Sequence, residues 1–132
     1  MVTKITHLLL MASGLVLVGC GQGEVSFAND VQPIFNTHCI RCHAGAGEGA
    51  EASGYVMLDY DGVMSGTRYG PVVVPGSRMS SALYLVVAGE TAPEIQMPPH
   101  TDESFAEGRG FKLSDDAVET IGLWIDQGAQ DN

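Results

Sequence analysis

The clearest pattern of apolar and polar positions lies near the C-terminus, between Ser114 and Gly128. Apolar side chains recur there every three or four residues, which is the spacing of one face of an α-helix. Ser114 is suited to cap the first turn, two aspartates follow where the helix dipole favours negative charge, and Gly128 is suited to end the helix. The segment therefore predicts an amphipathic helix. Its apolar stripe consists of Val118, Ile121, Trp124 and Ile125.

A second amphipathic helix is predicted in the N-terminal half of the chain. Its cap is expected at Asn29 or Asp30, it runs into Cys39, and Pro33 falls within its first turn, where proline is tolerated. Gly122, inside the C-terminal helix, costs about 1 kcal/mol relative to alanine, so we expect it to allow a close helix crossing. The inward face of the second helix consists of Val31, Ile34 and Phe35.

The elements predicted between these two helices are shorter. Asp59 predicts the cap of one helical turn that ends at Gly66. Ser80 predicts the start of a helix that ends at Gly89. Residues 44–54 are small and acidic without any periodicity, so they are predicted to form a surface loop.

The first residues of the chain, 1–19, predict an export signal. Lys4 supplies a single positive charge, and the apolar run over residues 7–18 is shorter than the about 20 residues that a membrane span needs. The tetrapeptide "LVGC", residues 17–20, resembles the lipobox of bacterial lipoproteins. This resemblance implies cleavage before Cys20 and lipid on that cysteine.

After such processing, residues 20–26 would form a short lipidated tether and residues 27–132 a single domain, which fits the usual length of about 100–200 residues. Two or three acyl chains are enough to hold a domain at a membrane. We therefore expect a protein of the cell envelope, on the periplasmic face. Within the lipoprotein pattern, Gly21 after the cysteine favours the outer over the inner membrane.

The charge of the chain is strongly acidic. The net charge is −10, and removal of the signal with its Lys4 makes it −11. This charge excludes a nucleic-acid-binding protein and favours partners with basic docking faces. A surface that is acidic only for solubility is the alternative.

Candidate chemistry is concentrated where Cys39 and Cys42 stand two residues apart and His43 follows directly. A zinc site would need a second pair of ligands, and only His38, His43 and His100 are available for it, without the usual spacing of a second half-site. A thioredoxin-like redox pair would follow a buried strand, and none is predicted there. A disulfide across two residues would constrain almost nothing. The fourth interpretation is covalent haem attachment, for which Cys-x-x-Cys-His is the known signature.

Haem attachment is the interpretation that uses all three side chains. Two cysteines three positions apart lie on one side of a helical turn and can bond the two vinyl groups, while the adjacent imidazole binds the iron from below. The sequence therefore predicts one covalent haem c, held by Cys39 and Cys42 as thioethers, with His43 as its proximal iron ligand.

The second axial ligand is predicted to be Met97. It stands between Pro93 on one side and Pro98 and Pro99 on the other, where no helix or strand can contain it. Proline fixes its own φ and restricts the residue before it, so the thioether is held on a stiffened loop. Such a loop limits the entropy that a weak iron–sulfur bond must offset.

The other candidates for the second ligand fit less well. Met57 and Met64 are spaced like core residues, and Met79 falls in the first turn of a helix. His38 directly precedes Cys39 and cannot reach around the haem ring to the other face of the iron. His100 remains the alternative. The ring nitrogen of His43 that does not bind the iron is expected to donate a hydrogen bond to a backbone carbonyl from residues 68–76.

The segments "FANDVQPIFNTHCIRCH", "MPPH" and "LSDDAVETIGLWIDQGA", in this order, resemble the small monohaem cytochrome c domains of class I type. The resemblance covers residues 27–130 and implies an all-α fold of several short helices around one haem, with the first and last helices crossing near Gly122 and Trp124. The sequence departs from the family pattern in a polar excursion over residues 101–112. Arg68 and Arg78, with Tyr69, are candidates for contacts with the haem propionates.

The resemblance and the residues together predict an electron-transfer protein rather than an enzyme: a membrane-anchored carrier that exchanges single electrons with respiratory partners. A five-coordinate haem sensor or a peroxidase-like enzyme is the alternative, for which only His100 and Arg109 are candidate distal groups. A relay subunit of a larger oxidoreductase is a third possibility.

Overall fold

The structure is a computed structural model that describes residues 23–99 and 112–132. These residues form helices and loops without any strand, so the predicted all-α fold is confirmed. The helices are α1 (Gln32–His38), α2 (Ile40–His43), α3 (Glu48–Ser53), α4 (Tyr60–Ser65), α5 (Ala82–Ala88) and the C-terminal helix (Asp115–Asp126). A π-helical turn (Phe27–Val31) precedes α1, and 3-10 turns lie at Arg78–Ser80 and Pro93–Ile95.

Several predictions lie outside the described residues. They are the export signal over residues 1–19, the lipidation of Cys20, nearly all of the polar excursion, and the side chains of His100 and Arg109. None of the described helices is long and apolar enough to cross a membrane.

The N-terminal helix begins earlier than predicted, because Ser26 caps it instead of Asn29 or Asp30. The Ser26 hydroxyl accepts a hydrogen bond from the Asn29 N–H at 3.1 Å, and the Asp30 carboxylate accepts one from the Ser26 N–H at 2.8 Å. This reciprocal pair satisfies donors that the first turn leaves free. Pro33 then falls at the start of α1, as expected.

The C-terminal helix has the predicted bounds and packs against the N-terminal turn. The Ser114 hydroxyl accepts from the Ala117 N–H at 3.2 Å, and Ile121, Trp124 and Ile125 are buried. The Trp124 ring lies 5.3 Å from that of Phe27, as the resemblance implies. The two ends of the domain are thereby joined in one core.

The role predicted for Gly122 in a helix crossing is wrong. An ideal Cβ at Gly122 would stand 2.6 Å from the Nη1 atom of Arg78, so the glycine makes room for a guanidinium group. Arg78 pairs there with Glu119 at 2.7 Å and with Asp126 at 2.6 Å. These bonds fasten the 3-10 turn before α5 to the C-terminal helix.

The prediction of a surface loop over residues 44–54 is also wrong, because α3 forms within this segment and buries Ala50. A Cβ at Gly47 would collide with the carbonyl oxygen of Cys42, so small residues let this segment lie directly on α2. The helix ends at Gly54, whose φ of +75° is the left-handed conformation that glycine tolerates.

The two middle helices are close to the prediction. Asp59 caps α4, since its side chain accepts from the Gly62 N–H at 2.8 Å, and Gly66 follows the helix. The helix predicted to start at Ser80 begins two residues later, after the 3-10 turn, and ends at Gly89 as expected.

Candidate functional site

One apolar cavity of about 410 Å³ lies between α2, α3, α5 and the loop that follows the last 3-10 turn. Its size falls within the range of about 300–1,000 Å³ that is usual for ligand and cofactor sites. Cys39, Cys42, His43 and Met97 all line it, although His43 and Met97 are 54 positions apart in the sequence. The remaining walls are mostly aliphatic and include Val72, Leu83, Val86, Val87 and Ile95.

The two cysteines are positioned by the junction between α1 and α2. Cys39 ends α1, and its carbonyl oxygen accepts hydrogen bonds from the N–H groups of Cys42, at 3.1 Å, and His43, at 2.9 Å. The two thiols do not form a disulfide. This one turn of helix presents both sulfur atoms and the imidazole to the same cavity.

The cysteine pair does not have the electrostatics of a redox pair. Burial, followed by the neighbouring Cys42, raises the pKa of the Cys39 thiol to about 12. Thioredoxin-like chemistry needs the opposite, a thiol whose pKa is lowered so that it ionises near neutral pH. Nor do the described residues contain any group of three His, Cys, Asp or Glu side chains that could hold a metal ion.

The His43 ring is oriented by a backbone carbonyl, but not by one from residues 68–76 as predicted. Its Nδ1 atom lies 3.0 Å from the carbonyl oxygen of Tyr55. A carbonyl only accepts, so Nδ1 carries the proton and Nε2 keeps a lone pair. The turn at Gly54 returns the chain alongside α2, where the Met57 N–H also donates to the His43 carbonyl oxygen at 2.8 Å.

The opposite edge of the His43 ring faces α3. An ideal Cβ on Gly49 would stand 2.7 Å from both Cε1 and Nε2 of His43. The missing side chain therefore leaves space beside the imidazole. Gly49, Ala52 and Ser53 together form a wall of small residues along the cavity.

The four methionines of the described residues occupy different environments. Met97 lies in a loop, is 36% exposed and lines the cavity, whereas Met79 is 63% exposed. Met64 packs against the core from a partly buried position. Met57 is a core residue, but it also lines the cavity, next to the backbone of His43.

A comparison with known protein families identifies the domain. Residues 39–101 match the family model described as Planctomycete cytochrome C, and this segment runs from Cys39 past Met97. The matched segment is that of a c-type cytochrome domain. No curated protein and no solved structure matches the chain.

The cavity of this haem-binding cytochrome domain fits its cofactor chemically. A porphyrin is a large apolar ring, and the walls are mainly aliphatic. Two free thiols and an imidazole nitrogen with a lone pair reach the same space. Histidine is the usual proximal ligand of haem iron.

None of the three candidates for propionate contacts lines the cavity of the cytochrome domain. Arg78 is paired with two carboxylates of the C-terminal helix. Arg68 donates to the carbonyl oxygen of Glu51 at 2.6 Å. Tyr69 is 86% exposed at the tip of a turn.

Sequence reasoning missed two residues of the cytochrome site, Tyr55 and Gly49. Tyr55 acts through its backbone, and a backbone carbonyl leaves no signature in a sequence. Its buried phenol has no hydrogen-bond partner among the described residues, and burial, followed by the neighbouring Cys39, raises the pKa of Tyr55 above its ordinary value. Gly49 lies in the small, acidic stretch that lacks any periodic signal.

Proposed function

We propose that this protein is a membrane-anchored monohaem c-type cytochrome that transfers single electrons between respiratory partners. The observation that carries the proposal is the cavity that brings together both thiols, the imidazole of His43 and the thioether of Met97. A bound haem would supply a one-electron couple between ferric and ferrous iron.

Cys39 and Cys42 would hold the haem as thioethers. Their side chains project from one turn of helix, and no competing disulfide or protein-only metal site engages them among the described residues. Covalent attachment also explains why a buried thiol with a raised pKa is present in a protein expected in the cell envelope.

His43 would be the proximal ligand. The Tyr55 carbonyl holds the proton on Nδ1 and so keeps Nε2 available for iron. A hydrogen bond of this kind also raises the basicity of the coordinating nitrogen and fixes the orientation of the ring.

Met97 would be the second axial ligand. Met57 is the competing thioether in the cavity, but its backbone is bonded to that of His43, so it belongs to the same side as the proximal ligand. Met97 comes from the far wall, which is built by α5 and the proline-containing loop. Methionine opposite histidine raises the reduction potential of the haem.

The walls of the cavity favour an electron carrier over a catalyst. Around Met97 the lining is apolar, with Leu83, Val86, Val87 and Pro98. Apart from the two cysteines and His43, the ionisable lining residues are His38, Glu48 and Tyr55, which come from α1, α3 and the segment after α3 rather than from α5 or the Met97 loop. Acid–base cleavage of peroxide needs a proton donor above the open face of the iron, and the described walls near Met97 offer none.

The position of the N-terminus is compatible with a lipid tether on Cys20. The π-helical turn and α1 lie between the tether and the haem-binding motif, and the seven residues of α1 alone span about 10 Å at 1.5 Å per residue. The cavity would therefore lie away from the attachment point. The acidic chain would favour redox partners with basic docking faces. With Gly21 after the lipidated cysteine, the protein would lie in the cell envelope at the outer rather than the inner membrane.

The experiment that tests this ligation compares Met97→Ala with Met57→Leu and Met79→Ala in haem-loaded protein. Only Met97→Ala is expected to lose the thioether-to-iron absorption band of the oxidised protein. It should also gain rapid carbon monoxide binding in the reduced state, which the wild type should lack. Retention of the band in Met97→Ala, or rapid uptake by the wild type, would favour the five-coordinate sensor or enzyme.

A further inference from the structure

The loop that carries Met97 forms the C-terminal cap of α5. The last carbonyl groups of a helix have no partners within it. The Leu85 carbonyl oxygen accepts from the Glu90 N–H at 2.9 Å, where Gly89 turns the chain with a φ of +76°. The next carbonyl, that of Val86, accepts from the Met97 N–H at 3.0 Å.

The side chain of Gln96 makes a second connection between this loop and the helix end. Its Nε2 atom donates to the carbonyl oxygens of Gly89, at 3.2 Å, and Thr91, at 2.9 Å. Both partners are acceptors only, so the amide must present its NH₂ group to them. An ideal Cβ on Gly89 would lie 3.8 Å from Nε2, which means that the Gln96 side chain packs closely over the turn.

We propose that Gln96 is a positioning residue that keeps Met97 against the cavity and so determines how readily its thioether leaves the iron. The inference rests on the proposed ligation by Met97. Gln96 does not line the cavity itself. It acts by closing the short segment from Gly89 to Met97 into a fixed turn, at the residue directly before the ligand.

The physical reason is that a thioether is a weak ligand whose loop must already be ordered. Without the Gln96 side chain, residues 90–96 would be fastened to α5 mainly by the Met97 N–H and by the Glu90 N–H next to the turn. Losing two hydrogen bonds should increase the fraction of open loop about tenfold, because about 1.4 kcal/mol corresponds to a factor of ten.

The test measures imidazole binding to the oxidised, haem-loaded protein, because imidazole must displace the thioether. Gln96→Ala is expected to lower the apparent Kd for imidazole about tenfold relative to the wild type. Gln96→Glu keeps the length of the side chain but places carboxylate oxygens, which only accept, against the carbonyl oxygens of Gly89 and Thr91. Its effect on the Kd should therefore be at least as large. Glu94→Ala changes an exposed residue of the same loop and should leave the Kd unchanged.

Amide hydrogen exchange in the holoprotein, wild type and Gln96→Ala, gives a second readout. The Met97 N–H is expected to be protected, and Gln96→Ala should reduce this protection by a similar factor of about ten. If the Met97 N–H of the wild type exchanges as fast as an unstructured peptide, the loop is not held and the inference is wrong.

The outcomes separate this inference from the proposed function. Unchanged imidazole affinity in Gln96→Ala, together with loss of the thioether band in Met97→Ala, would overturn the role of Gln96 alone. If Met97→Ala keeps both the band and the affinity of the wild type, the ligation fails and the inference fails with it.

Discussion

The imidazole of His43 lies against the backbone of Gly49, so that an ideal Cβ on the glycine would stand 2.7 Å from both Cε1 and Nε2 of the ring. Gly49 is inside α3, where alanine would normally stabilise the helix by about 1 kcal/mol. The close approach predicts the opposite sign. Gly49→Ala should destabilise the protein by about 1–3 kcal/mol, as overpacking does, and should lower the yield of haem-loaded protein.

Urea unfolding and the absorption spectrum of the purified protein measure this effect. Gly23→Ala is the matched control, because nothing lies within 4 Å of a Cβ at that position. Its stability should stay within about 0.5 kcal/mol of the wild type. A more stable Gly49→Ala variant with normal haem content would show that the ring does not need this space.

Arg78 is predicted to stabilise the fold without contributing to haem binding. It pairs with Glu119 and Asp126, and its guanidinium lies 5.4 Å from the centre of the Tyr84 ring. Both carboxylates are largely exposed, so solvent weakens the pairs. Arg78→Met should cost about 1–2 kcal/mol in urea unfolding and leave the absorption spectrum unchanged. A changed spectrum would contradict this assignment.

The same cluster predicts a pH dependence of stability. Desolvation alone would raise the pKa of Asp126, but hydrogen bonds from the backbone and guanidinium of Arg78 outweigh it and hold the pKa below its ordinary value. Folding therefore favours the carboxylate, and its contribution is complete above the unfolded pKa of about 3.9. It is lost as the pH falls through the lower, folded-state pKa.

Urea unfolding of Asp126→Asn at several pH values checks this dependence. The difference in stability from the wild type should be constant from neutral pH to about pH 5 and should shrink below about pH 4. A difference that persists unchanged at the lowest pH would show that the charge of Asp126 is not what stabilises the cluster.

The contact between the ends of the domain predicts a large effect at Trp124. Its side chain is fully buried, packs on Phe27 and donates from Nε1 to the carbonyl oxygen of Gln130 at 2.9 Å. Trp124→Phe removes volume and leaves that carbonyl without its donor, so it should cost about 2–3 kcal/mol. Tyr69→Phe, at an exposed position, is the control and should change stability by less than about 0.5 kcal/mol in the same urea titration.

Elements whose signals are local could be predicted from the sequence. The C-terminal helix has its cap, its apolar period and its terminal glycine within one short segment, and α4 has its cap at Asp59. The haem-binding motif is also local, because Cys39, Cys42 and His43 share one turn. Met97 could be singled out because prolines surround it.

Features that depend on distant residues could not be predicted. The stretch that contains α3 has no apolar period, and its helix forms where glycines let the chain lie on the backbone of α2. The partner of His43 is a carbonyl, which every residue possesses. Arg78 occupies the space at Gly122 because carboxylates 41 and 48 positions further along the chain bind it.

Covalent haem attachment is tested most directly by acid–acetone extraction of denatured protein that was made in a host with a working system for haem attachment. The wild type is expected to keep the haem absorption on the polypeptide and to gain the mass of one haem, and Cys39→Ala/Cys42→Ala is expected to be colourless. A colourless wild-type polypeptide after extraction would contradict covalent attachment through these two cysteines.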